Sequence, residues 1–216
     1  MNDIPLFEPS SEPFASTGEQ IAKTLTTFGW GVFVDLLPPP MCDALLRRAT
    51  EIENYRRARV GQSRTRRLNQ FVRRDRTAWI DGRVGIEADW LNWAEQLRIE
   101  LNRTLYLGLD RFESHFAHYP PGAFYRKHVD AFKDSDNRVV SLIVYLNPDW
   151  SPADGGQLAL YDQADMELAK VPPTIGTVAA FLSDSFPHEV MKTTRDRYSI
   201  AGWFCRREHL PVSVPP

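Results

Sequence analysis

Two histidines and one aspartate in the C-terminal half of the sequence have the types and the spacing of metal ligands. His128 and Asp130 are two residues apart, so their side chains point to the same side if they lie at the end of a strand. His188 follows 60 residues after His128. Two histidines and one carboxylate form a set that binds iron(II) and leaves three coordination positions free. The sequence therefore predicts a catalytic iron site at these three residues.

Arg197 indicates what the free positions of that iron would bind. It lies nine residues after His188, and its planar guanidinium suits the distal carboxylate of 2-oxoglutarate better than a lysine would. The 2-oxo acid would take two iron positions and dioxygen the third. An H-x-D triplet alone is a weak signal, but its combination with His188 and Arg197 predicts an iron(II)- and 2-oxoglutarate-dependent dioxygenase.

The remaining three histidines are predicted to be packed or solvated rather than ligands. His115 and His118 lie in the string FESHFAHY without a partner carboxylate at matching spacing. His209 belongs to a polar tail.

Length and composition indicate one globular domain. The 216 residues are 43% hydrophobic and 25% charged, with a formal net charge of -2. Residues 1–16 and 208–216 are predicted to be flexible tails, which leaves 17–207 for the domain. The net charge argues against a global attraction to nucleic acid or to anionic membranes.

Cysteine content and the N-terminal sequence predict a cytoplasmic protein. Cys42 and Cys205 are too few for a disulfide framework and lack the spacing of a zinc site. The N-terminus lacks the layout of a signal peptide, and no apolar stretch approaches the roughly 18 residues that a membrane span needs. We therefore expect neither secretion nor membrane insertion.

The first predicted helix lies near the N-terminus. Thr17 can cap it, Ile21, Leu25 and Phe28 share one face, and Gly29 is placed to end it. A strand, WGVFV, should follow.

Two further helices are predicted before the strand-rich part. One begins after the prolines at 38–40, with Leu45, Ala49 and Ile52 on one side. The other spans about 89–107, where four apolar residues recur at spacings of three and four, as in core packing: Trp90, Trp93, Leu97 and Leu101.

From Phe112 onward the pattern changes to short alternating or apolar runs separated by turn residues. The runs are FESHFAHY, VVSLIVYL, QLALY, GTVAAF and YSIAGWF. Helices first and many strands later predict an α+β, mainly β fold, with a β-sandwich or jelly-roll core buttressed by N-terminal helices.

Several longer strings between Arg57 and Phe204 resemble one known family. They are RRDRTAWIDG, YPPGAFYRKHVD, RVVSLIVYLNPDW, DGGQLALY, FPHEV and TRDRYSIAGWF. They resemble the prolyl 4-hydroxylases of the hypoxia-sensing type and their bacterial relatives, within the double-stranded β-helix oxygenases. The resemblance implies a double-stranded β-helix core, iron(II), 2-oxoglutarate as cosubstrate and ascorbate as a candidate reductant.

The resemblance also implies roles for aromatic and basic residues. Tyr145 is placed like the family tyrosine that binds the distal carboxylate beside Arg197, and Tyr119 resembles a pocket tyrosine near the iron and cosubstrate. Three residues resemble substrate-binding positions: Tyr125, Trp203 and Arg138. The segment from Tyr119 to His128 is one residue shorter than in the animal enzymes.

An arginine-rich stretch from Arg56 to Arg83 contains ten arginines and two aspartates, whereas the rest of the chain is acidic. The resemblance implies that residues around 56–76 form a mobile loop that helps to hold a protein substrate. A solvated or nucleic-acid-facing basic patch is the alternative.

The resemblance implies 4-hydroxylation of a proline in a cytosolic protein, with elongation factor Tu as one candidate, and a link to oxygen sensing. Alternatives are an oxygenase acting on a nucleic acid or small molecule, and a cupin-like metal-binding or sensory protein without turnover. The related nucleic-acid demethylases have a second arginine six residues after the cosubstrate arginine, where this chain has Trp203.

Overall fold

The computed structural model describes residues 6–7, 16–58, 71–131 and 137–207. Among these residues there are three α-helices: α1 (Thr17–Phe28), α2 (Pro39–Glu51) and α3 (Gly85–Leu105). None of the described helices is long and apolar enough to cross a membrane.

Helix α1 begins one residue earlier than the predicted cap. The Ser16 hydroxyl accepts a hydrogen bond from the Glu19 amide, and the Glu19 side chain accepts one from the Ser16 amide, so Ser16 and not Thr17 is the N-cap. Gly29 ends the helix at φ 76°, as predicted. On the predicted face, Ile21 and Leu25 are buried, whereas Phe28 at its C-terminal end is 54% exposed.

The ends of α2 and α3 also differ from the prediction. Pro39 and Pro40 form the first turn of α2, where a missing amide costs no hydrogen bond. Helix α3 starts at Gly85 and ends at Leu105, because Asn102 binds both backbone groups of Leu109 and turns the chain. The predicted packing is confirmed at Trp90, which is fully buried.

Twelve strands are found in the described part of the chain. They are β1 (Leu6–Phe7), β2 (Trp30–Phe33), β3 (Arg56–Arg57), β4 (Arg76–Trp79), β5 (Leu109–Tyr119), β6 (Tyr125–His128), β7 (Arg138–Tyr145), β8 (Leu158–Tyr161), β9 (Glu167–Val171), β10 (Val178–Leu182), β11 (His188–Val190) and β12 (Arg197–Arg206). The five runs predicted as strands from Phe112 onward correspond to β5, β7, β8, β10 and β12.

These strands form two sheets. The larger has the order β1-β2-β10-β7-β12-β5-β4-β3, and the smaller has the order β6-β11-β8-β9. Apart from the parallel pair β1–β2, the pairs between these strands are antiparallel. Two mainly antiparallel sheets confirm the predicted double-stranded β-helix architecture.

Both faces of the larger sheet are covered. Leu142 and Val144 of β7 point to the helices and belong to the core around Trp90. Ile143 and Tyr145 alternate with them and point to the smaller sheet, into a second core with Leu160. The second core ends at the edge where the predicted metal ligands lie.

The predicted tails fall mostly outside the described residues. Leu6–Phe7 pairs with β2, and Ser16 caps α1. The rest of 1–16, and all of 208–216 with His209, lie outside the described part of the chain.

Candidate metal centre and active site

The pairing of β6 with β11 brings the two predicted histidine ligands together. His128 is the last residue of β6 and His188 the first of β11, and the two are direct partners in the antiparallel register. Asp130 follows β6, and its two carboxylate oxygens lie 3.6 Å from His128 Nε2 and His188 Nε2. The three ligand atoms all lie within 4.8 Å of one another, so they can hold one metal ion.

Backbone carbonyls fix the orientation of both imidazoles. His128 Nδ1 lies 2.8 Å from the Arg126 carbonyl oxygen, and His188 Nδ1 lies 3.0 Å from that of Phe186. A carbonyl oxygen only accepts, so each Nδ1 carries the proton and each Nε2 presents its lone pair. This is the tautomer that a metal ligand needs.

The buried Asp130 carboxylate is held from behind. The Ser141 hydroxyl donates to Oδ2 at 2.7 Å and also contacts the Ser183 hydroxyl at 2.9 Å. Burial raises the pKa of Asp130. His188, His128 and the Ser141 hydrogen bond together lower it by more, so the pKa of Asp130 is well below its ordinary range. The carboxylate is therefore charged and oriented.

Burial and the neighbouring His128 lower the pKa of His188 to about 4, although Asp130 opposes this shift. The His188 ring is thus neutral near pH 7. Two imidazoles and one carboxylate fit the donor set of iron(II).

Arg197 lies at the start of β12 and is only 1% exposed. Its Nε donates to the Gly156 carbonyl at 2.8 Å, and its Nη1 donates to the Ser199 hydroxyl at 3.1 Å. No described carboxylate forms an ion pair with it. A buried guanidinium without a counter-ion is costly, so this position suits an anionic ligand.

Two tyrosines accompany the buried guanidinium. The Arg197 guanidinium carbon lies 4.9 Å from the ring centre of Tyr119 and 5.2 Å from that of Tyr145. The Tyr145 hydroxyl is buried and has no hydrogen-bond partner in the described chain. Burial, opposed by Arg197, raises the pKa of Tyr145, so its phenol keeps a proton to donate. Together, Arg197 and Tyr145 fit one end of a dicarboxylate.

The predicted substrate residues form two separate sets of contacts. Tyr125 stacks on His128 with 3.6 Å between ring centres. Arg138 lies over the Trp203 ring at 3.7 Å and pairs with Glu113 at 2.8 Å. Trp203 is buried, and its indole N–H has no partner in the described chain.

The other described histidines do not join the metal site. His115 is 7% exposed and packs between Trp79 and Trp203. His118 has a carboxylate partner after all, since its Nε2 lies 2.6 Å from Asp196 Oδ1. Sequence spacing missed this pair because the two residues are brought together by the pairing of β5 with β12.

Three residues that support the site were not found from the sequence. Ser141 holds Asp130, while Gly156 and Ser199 hold Arg197. Gly156 lies in the string DGGQLALY, but its contact with Arg197 depends on tertiary structure. Serines within apolar strands gave no separate signal.

Comparison with known proteins identifies the family. Residues 114–205 match the family model of the 2OG-Fe(II) oxygenase superfamily. The crystal structure of a Pseudomonas putida prolyl-4-hydroxylase is 39% identical, with 87% of this chain and 97% of that chain covered and a TM-score of 0.79. This chain belongs to the prolyl 4-hydroxylase family of 2OG-Fe(II) oxygenases. Iron(II) and 2-oxoglutarate are the cofactor and cosubstrate that define the superfamily.

Two further members of the prolyl hydroxylase family are similar over most of this chain. The hypoxia-inducible factor prolyl hydroxylase of Caenorhabditis elegans is 30% identical over an alignment of 213 residues, and the match covers 86% of this chain but 28% of that protein. A prolyl hydroxylase from Trichoplax adhaerens, solved in complex with a hypoxia-inducible factor oxygen degradation domain peptide fragment, is 26% identical with a TM-score of 0.78. That match covers 87% of this chain and 88% of the Trichoplax chain.

Proposed function

We propose that this protein is a prolyl 4-hydroxylase that acts on a proline in a cytosolic protein. The reaction would consume dioxygen and 2-oxoglutarate and give 4-hydroxyproline, succinate and carbon dioxide. The proposal is carried by two features of the structure. One is a three-residue ligand set for iron at the paired ends of β6 and β11, and the other is a buried arginine at the start of β12 without a described counter-ion.

The metal, when bound, would supply the activation of dioxygen with 2-oxoglutarate as the reductant. His128, Asp130 and His188 would hold the iron, and Ser141 would keep the carboxylate in place. The second core would exclude water from the reacting atoms.

Arg197 would bind the distal carboxylate of 2-oxoglutarate through its guanidinium, with a second hydrogen bond from the Tyr145 hydroxyl. Tyr119 would line the same pocket, because its ring lies against the guanidinium. This binding neutralises the buried charge and satisfies the unpartnered phenol.

On the substrate side, Tyr125 and Trp203 would flank the proline ring, and Arg138 would hold Trp203 and contact the peptide. The arginine-rich segment around 56–76 would help to hold the protein substrate. Its residues 59–70 lie outside the described part of the chain, and both described ends carry arginines.

The reaction can be tested with purified protein, iron(II), ascorbate and 2-oxoglutarate. Succinate release should rise when prolyl peptides are added, and elongation factor Tu is the first protein to try. Matched peptides with alanine in place of proline should give only the slow uncoupled rate. Stimulation by a methylated single-stranded nucleic acid instead of prolyl substrates would contradict the proposal, and so would metal and cosubstrate binding without any succinate release.

A function in oxygen sensing is part of the same proposal. It predicts that the rate depends on dioxygen across the physiological range, which an oxygen titration of the same assay would measure.

A further inference from the structure

A cleft lined by arginines lies beside the proposed active site. Its volume is about 310 Å³, and its lining includes Arg57, Arg73, Arg74 and Arg76. The one acidic side chain among its described lining residues is Asp75, which is buried and bound by Arg73 at 2.7 and 2.5 Å. The charge of the cleft is therefore strongly positive, although the whole chain has a net charge of -2.

Strand pairing places two of these arginines against each other. Arg57 of β3 is the direct antiparallel partner of Arg76 of β4, and both side chains are exposed. Like charges directly opposite each other destabilise a strand pair. An anion bound between the two guanidinium groups would offset this repulsion, so the arrangement suits a binding site better than a purely structural edge.

The local backbone spaces the arginines regularly. The Arg74 amide donates to the Phe124 carbonyl and the Ala58 amide donates to the Asp75 carbonyl, so this segment is extended. Arg74 and Arg76 are exposed and Asp75 between them is buried. Side chains two residues apart in an extended chain lie about 7 Å apart on one side. Carboxylates at positions i and i+2 of an extended peptide have the same spacing.

One arginine of the cleft lining contacts a residue that stacks on a predicted metal ligand. The Arg73 guanidinium carbon lies 4.1 Å from the ring centre of Tyr125, and that ring lies 3.6 Å from the ring of His128. The pairing of β3 with β4 and of β4 with β5 places the Arg57 and Arg76 side chains on the opposite, helix-facing side of the larger sheet. Because β3 is the outermost described strand on this side, an extended peptide with one residue at the metal would reach these arginines around that edge, several residues away at about 3.3 Å per residue.

The rest of the lining favours a peptide over a nucleic acid. It consists of small or cyclic aliphatic residues, namely Ala58, Pro120, Pro121, Gly122 and Ala123. Proteins that bind single strands usually stack bases on aromatic rings, and no aromatic ring is among the described lining residues.

We propose that this arginine cleft selects protein substrates with two acidic residues, spaced i and i+2, several residues away from the target proline. This inference rests on the proposed prolyl hydroxylase function. It adds a charge requirement to a substrate class that is otherwise defined only by its proline.

The test compares synthetic peptides that differ only in charge. Each contains one central proline and two glutamates spaced i and i+2, placed either before or after the proline, and each has a twin with glutamines. Binding to the metal-loaded protein is measured by fluorescence anisotropy without dioxygen, and hydroxylation is then measured by mass spectrometry. In one of the two placements the glutamate peptide should bind about tenfold more tightly than its twin, and high salt should remove the difference.

Single substitutions test whether the cleft arginines cause the preference for glutamate peptides. Arg76→Gln and Arg57→Gln should each lose most of the preference for glutamate. Arg103→Gln removes the same charge from an exposed position on α3, outside the cleft lining, and should keep the preference.

Equal binding of glutamate and glutamine twins in both placements would overturn the inference, as would a preference that survives Arg76→Gln and Arg57→Gln together. Single-stranded DNA that binds more tightly than every glutamate peptide would assign the cleft to nucleic acid and also overturn it. Because binding is measured without turnover, a charge-dependent peptide that is bound but never hydroxylated would count against the prolyl hydroxylase function alone.

Discussion

At the residue scale, the cluster that could hold a metal was the part of the proposed site most open to prediction. His128 and Asp130 are neighbours in sequence, so their spacing alone indicated a shared direction. Ser141, which orients Asp130, could not be found in this way because it lies on a different strand and looks like an ordinary polar residue of an apolar run. Ligand types are visible in a sequence, whereas the hydrogen bonds that orient them depend on tertiary contacts.

Replacing one ligand should abolish the metal site without unfolding the protein. His128 is only partly buried, so His128→Ala should leave the fold intact and weaken iron(II) binding at least about a hundredfold. Anaerobic titration with iron(II) would measure this. His118→Ala is the matched control, because His118 lies outside the ligand set and pairs with Asp196. Wild-type iron affinity in His128→Ala would refute the ligand assignment.

Removing the Tyr145 hydroxyl should have opposite effects on stability and on 2-oxoglutarate binding. Tyr145→Phe keeps the ring but removes a buried hydroxyl that has no partner in the described chain. Without cosubstrate, the variant should be as stable as the wild type or about 1 kcal/mol more stable. Its affinity for 2-oxoglutarate should fall about tenfold, since one hydrogen bond to the carboxylate is lost.

Denaturant unfolding and anaerobic 2-oxoglutarate titration would measure these two effects. Tyr198→Phe is the control for cosubstrate binding, because Tyr198 follows Arg197 in the chain but stacks on His118 rather than on the guanidinium. A Tyr145→Phe variant with unchanged 2-oxoglutarate affinity would show that the phenol does not bind the cosubstrate.

At the element scale, long strands with clear periodicity were predicted and short ones were not. The runs behind β5, β7 and β12 are eight to eleven residues long in the structure. By contrast, β3 has two residues and β11 has three, too few to show any period. Yet β11 carries His188, so the element that completes the metal site is among the least visible in the sequence. Helix ends were displaced by one to four residues because caps depend on single side chains.

The turn before β8 is expected to position Arg197. Gly156 has φ 69°, and an alanine Cβ there would lie 3.0 Å from Arg197 Cδ and 3.2 Å from Thr193 Cβ. Gly156→Ala should therefore shift the guanidinium and raise the KM for 2-oxoglutarate about tenfold, with a smaller effect on kcat. Calorimetric titration of 2-oxoglutarate into the metal-loaded protein should show the same loss of affinity.

Gly176→Ala is a matched control for the backbone cost. Gly176 has φ 81°, but an alanine Cβ at this position would have no described neighbour within 4 Å. Gly176→Ala should lose about 1 kcal/mol of stability because its backbone is left-handed, and Gly156→Ala should lose a similar amount for the same reason. Gly176→Ala should keep the wild-type KM for 2-oxoglutarate. Equal KM values in both variants would mean that Gly156 has no part in positioning Arg197.

At the scale of the whole molecule, the helices, the larger sheet and the smaller sheet form successive layers, and the metal ligands lie at the edge of the inner core. The order of helices and strands was enough to predict this architecture. Which strands pair, and hence which supporting residues meet, was not predictable, because partners such as Arg197 and Gly156 are 41 residues apart. The limits of the domain and of its tails stay predictions.

The buried His115 should make the stability of the metal-free protein depend on pH. Burial, aided by Arg73, lowers the pKa of His115 to about 4, whereas an unfolded histidine titrates near 6.5. The unfolded chain therefore binds the extra proton first, and this residue lowers stability as the pH falls from 6.5 to 4. In His115→Gln, denaturant unfolding should show a weaker loss of stability across this range. Parallel curves for the two proteins would contradict the assignment of a neutral buried His115.

The central claim is that the protein adds oxygen to a proline. The most direct measurement is mass spectrometry of a cell lysate incubated with the protein, iron(II) and 2-oxoglutarate, with His128→Ala in a parallel sample. We expect that at least one proline in a protein of the lysate gains the mass of one oxygen atom, that amino-acid analysis identifies 4-hydroxyproline, and that the variant sample lacks it. Succinate release with no modified proline, or with oxygen added only to nucleic acids or small molecules, would contradict it.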